Sequence, residues 1–187
     1  PLTPPEIERA LEAMGFYAVE STLLGEELVA AAYERAHSRP CVSVTLRSTC
    51  PVAVDWVRLY YPNLVPALSP IVPPYVVQAH LVKRIYPADT AVVYVSPCYA
   101  RKDEAHDPQF AGAIDAAIDF SELRDLMGRV HAQPAHPVAP GSKRPAPIKE
   151  ISLTDGFPRR TLEERGRTDT SIAAVRGLRE LDELLAA

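Results

Sequence analysis

The stretch Ala91-Val92-Val93-Tyr94-Val95-Ser96-Pro97-Cys98-Tyr99-Ala100-Arg101-Lys102-Asp103-Glu104 sets the fold class. Its first five residues are apolar and rich in β-branched side chains, which reads as a short strand; Ser96-Pro97 ends it, and the charged run after Cys98 is too polar to extend it. Cys98 therefore stands just past a strand's carboxyl end. Upstream the same pattern occurs once more. Cys41 to Leu46 alternates as a strand does, and Pro51 to Tyr60 restarts a helical period with Val52, Trp56 and Leu59, leaving Cys50 at a strand-to-helix junction.

Outward from these two junctions the alternation continues. Ile114, Ala116, Ile118 and Phe120 alternate as a further strand, and Ser121-Glu122-Leu123-Arg124 opens a helix through about Val130. Residues 131–150 carry Pro134, Pro137, Pro140, Gly141, Pro145 and Pro147, a composition that propagates neither helix nor sheet and predicts a long loop. Ile172 to Val175 then reads as a strand, and Gly177 to Leu185 as a helix with Leu178, Leu181 and Leu185 in register. Near the start, Thr3-Pro4-Pro5-Glu6 combines an N-cap, first-turn prolines and a capping-box glutamate, and Ile7, Leu11 and Met14 follow at helical spacing up to Gly15. The apolar run Phe16 to Val19 and a helix from Gly25 to Ala36 read as a β-α unit. Alternating strands and helices predict an α/β fold, its sheets mostly parallel and flanked by helices, in one domain or two closely packed lobes.

Composition narrows the function classes. A chain of 187 residues can bury about 70% of its unfolded surface and needs no disulfides to fold. With 24% charged residues and a formal net charge of −4, no basic field invites nucleic acid or an anionic membrane surface. No apolar run approaches the roughly 20 residues that span a bilayer, and the first residues lack the regions of a signal peptide, so a cytoplasmic setting is expected. A start at Pro1 without methionine is read as a segment of something longer. The three cysteines, Cys41, Cys50 and Cys98, are too few and odd for a disulfide framework, which leaves buried thiols or metal ligands. At a strand-to-helix junction, backbone N–H groups lower a thiol's pKa, and the thiolate becomes a nucleophile or a soft metal ligand. None of His37, His80, His106, His131 and His136 forms a hydrolase motif with either junction cysteine. Zinc spacings such as C-x-x-C or H-E-x-x-H are absent.

Ser48-Thr49-Cys50-Pro51, followed by Trp56, Tyr60-Tyr61-Pro62, Leu64, Leu68 and Ser69-Pro70, resembles the first cluster motif of the iron-only hydrogenase large subunit, T-S-C-C-P with a helix ending in Y-P and then L and S-P. Ser96-Pro97-Cys98-Tyr99-Ala100-Arg101-Lys102-Asp103-Glu104 resembles the second, M-P-C-x-x-K-x-x-E. Ala113 to Leu123 resembles the family's following D-x-D-A-V-x-T-x-E-L. Asp155-Gly156-Phe157-Pro158-Arg159 and Val175-Arg176-Gly177-Leu178 resemble the stretch just upstream of the last cluster motif, so the likeness covers nearly the whole chain.

The resemblance implies an iron-only hydrogenase-like fold around a cluster cleft, with Cys50 and Cys98 as two of four thiolates on a 4Fe-4S cluster that can carry a diiron subsite. In the family the other two come from a C-terminal C-x-x-x-C motif. Residues 1–187 are therefore expected to be a partial domain whose partners are a C-terminal segment with two further cysteines and ferredoxin-like or signalling domains. Cys41 matches no family ligand and is expected in the core.

Departures from the family pattern bear on activity. Thr49 replaces a proton-relay cysteine with a hydroxyl that stays protonated at neutral pH. Arg101 replaces a lysine with a planar, forked cation, for which Lys102 is a candidate substitute. Ser96 replaces a methionine. Glu104 keeps the acidic position associated with proton passage, against the simpler reading of a solvated charged turn. Three functions stay open: an iron-sulfur or H-cluster-like domain for redox or hydrogen sensing, a hydrogenase interconverting protons and H2, and a cluster-free scaffold or interaction module. The isolated chain is expected to be inactive and to retain no cluster.

Overall fold

A computed structural model of the chain describes residues 3–37, 44–129 and 173–186. Seven α-helices are seen there: α1 (Pro4–Ala13), α2 (Leu23–His37), α3 (Pro51–Tyr60), α4 (Pro74–Ile85), α5 (Ala100–Ala105), α6 (Phe120–Arg129) and α7 (Gly177–Leu185). Strands β1 (Val93–Val95) and β2 (Ala116–Ile118) flank α5 in the chain, and 3-10 turns cover Pro62–Ala67 and Pro108–Phe110. Proline explains many of the helix starts. Pro4, Pro51 and Pro74 each open a helix, where the fixed φ suits the first turn and the missing N–H costs nothing. At α1, the Glu6 carboxylate accepts from the Thr3 N–H at 2.7 Å, the reach-back bond of a capping box, and also from the Thr3 hydroxyl at 2.7 Å.

The sheet is parallel and small. Val93, Tyr94 and Val95 pair in register with Ala116, Ala117 and Ile118, and the crossover through α5 is what parallel neighbours require. The predicted strands Ala91–Val95 and Ile114–Phe120 shorten accordingly, because the exposed Asp115 side chain accepts the Val92 N–H at 2.7 Å and Phe120 already opens α6. The charged run after Cys98 is not a turn but α5.

Helix α4 is the centre of the packing. Tyr75, Val76 and Ala79 form a core with Ala105, Phe110 and Ala113, against which Val92, Tyr94, Ile114 and Ala117 of the β1-α5-β2 unit pack. On its other side α4 faces α2, where Val29 and Tyr33 are each 1% exposed and pack with Ile71 and Val77. The two helices approach closely at Gly25: a Cβ there would lie 2.3 Å from the Pro74 carbonyl oxygen, and the Gly25 N–H donates to Gln78 Oε1 at 3.0 Å. Helix α7 sits on α3. Asp182 Oδ1 accepts from Tyr61 Oη at 2.6 Å and Trp56 Nε1 at 3.3 Å, and Leu181 is buried beside them.

Three strand expectations fail where they can be checked. Phe16 to Val19 forms no strand; it follows the end of α1 with Tyr17 and Val19 exposed, an apolar run with no sheet edge to join. Of Cys41 to Leu46, the described residues contribute only Leu46, bridged in parallel to Leu68. Residues 173–175 are likewise not a strand. Cys41, the proline-rich stretch 131–150 with His131 and His136, Ile172 and the Asp155–Arg159 motif lie outside the described residues. Among the described residues no helix is long and apolar enough to cross a membrane.

Candidate functional site

The loop before α3 is fixed by side chains. Tyr33, buried on α2, accepts the Ser48 N–H with its hydroxyl oxygen at 3.1 Å, and the Ser48 hydroxyl donates to the Ile71 carbonyl at 2.9 Å. Thr49 is 9% exposed, and its hydroxyl accepts from Arg47 Nε at 2.6 Å. Burial pulls Arg47 below its ordinary pKa, and the nearby Arg101 pulls the same way. Cys50 follows as the exposed N-cap of α3, in extended backbone with no side-chain cap.

The Cys98 loop is fixed mainly by backbone pairing, with one bond to the Ser96 side chain. The Ser96 N–H donates to the Ile118 carbonyl at 3.0 Å, continuing the β1–β2 ladder by one residue, and the buried Ser96 hydroxyl accepts from the Cys98 N–H at 3.2 Å. Cys98 is half-buried, and α5 begins two residues later.

One side chain joins these loops. Arg101 on α5 donates through Nη2 to the Thr49 carbonyl oxygen and through Nη1 to Glu104 Oε2, each at 2.5 Å. Both partners of the ion pair are withdrawn from water, Arg101 being 18% and Glu104 11% exposed. Burial works against the Arg101 charge, but Glu104 beside it more than offsets this and holds its pKa above the ordinary value. The guanidinium also lies over the ring of Tyr75, 5.2 Å from its centre, and Tyr75 stacks on Tyr94 at 4.3 Å and 15°. Burial, and next the charge of Glu104, raises the Tyr75 phenol far above its usual range.

The cysteines themselves are thus carried by loops that touch through Arg101 and the residue before Cys50. Glu104 is not in a solvated turn: it lies on α5, only 11% exposed, with its carboxylate paired to Arg101. Lys102, by contrast, pairs away from the Thr49 carbonyl: its ammonium meets Asp119 at 3.2 Å and Glu122 at 2.6 Å at the start of α6. His80 and His106 are exposed, the latter with Nδ1 2.6 Å from the Lys102 carbonyl, and neither joins the site. An open cavity of about 520 Å³ adjoins it, walled by Ser48, Pro51, Val54, Ile71, Glu104 and Phe110 among others, but neither Cys50 nor Cys98 lines this space.

The family described as iron only hydrogenase large subunit, C-terminal domain, matches residues 2–185, which include both cysteine loops and α7. The chain belongs to this family. No curated protein gives a match. Full-length members of the iron-only hydrogenase family carry iron-sulfur chemistry, and the residues present here fit it in kind and only in part. Soft thiols at two tethered loops suit iron, but a 4Fe-4S cluster takes four thiolates, and among the described residues no group of three or more His, Cys, Asp or Glu stands ready to hold a metal ion.

Tyr33, Arg47 and Tyr75 were not singled out by their sequence. Tyr75 follows Pro73-Pro74, a visible helix start, but nothing local tells that its ring will meet a guanidinium twenty-six positions later.

Proposed function

We propose that this chain is the iron-sulfur-binding portion of a divergent iron-only hydrogenase-like protein that senses redox state or hydrogen. The observation that carries the reading is the Arg101 bridge between the Thr49 carbonyl and Glu104, which tethers the loop of Cys50 to that of Cys98 across 52 positions of sequence. Cys50 and Cys98 would hold half of a 4Fe-4S cluster, and a C-terminal segment outside Pro1–Ala187 would bring the other two thiolates. When bound, the cluster supplies one-electron redox chemistry. Ferredoxin-like or signalling domains in the same cytoplasmic protein would take up the change.

Sensing is favoured over turnover by how the relay positions are used. The Thr49 hydroxyl is buried, accepts from Arg47 and is a far weaker acid than a thiol, and the always-protonated Arg101 is committed to a carbonyl and a carboxylate, so neither suits proton passage to a reacting centre.

Anaerobic reconstitution of the full natural protein, read by iron and sulfide counting and by EPR, tests the reading. Cys50→Ala and Cys98→Ala are each expected to lose the cluster, and the wild type to show no steady hydrogen uptake. Unchanged iron content in both variants would leave a cluster-free scaffold, while sustained uptake would replace the sensor with an enzyme.

A further inference from the structure

Tyr75 is 3% exposed, yet its hydroxyl has no hydrogen-bond partner among the described residues. The hydroxyl lies close enough to the Glu104 carboxylate to have its pKa raised by it, but makes no well-formed hydrogen bond there. The ring is another matter. Its face lies under the Arg101 guanidinium, its other neighbour is the stacked ring of Tyr94, and its backbone belongs to α4, the helix about which the core is built. Arg101 is drawn from water by its burial, and two groups compensate: Glu104 opposes its charge, and the π face of Tyr75 offers the weaker attraction of a ring quadrupole while blocking the volume into which the side chain would swing.

We propose that Tyr75 is a positioning residue of the Cys50–Cys98 site, its ring holding Arg101 in the one placement that reaches the Thr49 carbonyl. The site is the one named in the reading above, but the positioning itself is a property of the metal-free protein. Tyr75 acts through Arg101 and touches neither thiol.

In a Cys41→Ser background, nitroxide labels on Cys50 and Cys98 report the separation of the two loops by pulsed EPR. A single narrow distance distribution is expected for the parent and for Tyr75→Phe, which keeps the ring, and a broadened, shifted one for Tyr75→Leu. Arg101→Met with Tyr75 intact is expected to broaden it to the same extent, and adding Tyr75→Leu to Arg101→Met is expected to change nothing more. A narrow distribution in Arg101→Met overturns the proposal even if Tyr75→Leu proves unfolded by circular dichroism. Equal broadening by Tyr75→Leu with and without Arg101 also overturns it, since the ring would then act by packing alone. Iron retention separates the two readings: if Cys50→Ala keeps its iron while the distances behave as expected, the cluster reading fails and the positioning role stands.

Discussion

The two cysteine loops solve the same problem by different means. Cys98 follows a backbone ladder, in which Ser96 adds one more main-chain bond to the β1–β2 pairing before α5 begins. Cys50 has no such ladder; the bridge from Leu46 to Leu68 is a single register, and Ser48 and Thr49 are placed by the side chains of Tyr33, Arg47 and Arg101. Main-chain pairing survives most substitutions, because every residue but proline brings the same donor and acceptor. Side-chain anchoring does not. The Cys50 loop is therefore the one that single mutations should release.

The largest effect is expected at the shared contact. Arg101→Met strands the buried Glu104 carboxylate and frees the Thr49 carbonyl, and should cost about 3 kcal/mol in urea unfolding. If the cost is within error of zero, the loops are not tied through this residue and the contrast between them collapses. A smaller loss, about 1–2 kcal/mol, is expected for Tyr33→Phe, which leaves the Ser48 N–H without its acceptor. Amide exchange sharpens the distinction here: Ser48 should lose protection while Ser96 keeps its own.

The smallest effect belongs to the Cys98 side and depends on pH. The Lys83 ammonium at 2.8 Å, and next the Val92 N–H, hold the Asp115 carboxyl below its ordinary pKa. A group lowered in this way contributes stability that is complete above the ordinary aspartate value and is lost as pH falls through the lowered native one. Asp115 is largely in contact with water, so the contribution is modest. Asp115→Asn should flatten that acid limb of the stability profile, measured by thermal melts between neutral and strongly acidic pH, and should leave the neutral-pH order of the other two variants intact.

How far the sequence carried depended on range. The helix Pro51–Tyr60 was placed to the residue, because Cys-Pro marks its start and Tyr61-Pro62 its end, both local signals. The parallel strand after residue 91 and the helix in front of residue 186 were found in the same way. Phe16 to Val19 misled because a four-residue apolar run becomes a strand only if a sheet edge is there to receive it, and that is a tertiary fact. Helix α4 was not read from the sequence, although Pro73-Pro74 marks its start. At the site, Cys50, Cys98, Thr49, Arg101 and Glu104 were all named from the two motifs, which did not reveal how Arg101 is held. Its partners, the Thr49 carbonyl and the Tyr75 ring, lie far away in sequence, where neither spacing nor periodicity speaks.

The tie between α3 and α7 also has a kinetic side. Asp182 bonds to Tyr61 and Trp56 across 121 and 126 positions, so in synthesis the whole of α3 emerges long before the residue that will lock onto it. Closure of so long a loop is entropically steep at first but nearly insensitive to further length: for a flexible connection, doubling the span adds only about 0.6 kcal/mol. One carboxylate, with its indole and its phenol, thus carries a closure whose cost depends little on how many residues separate the partners.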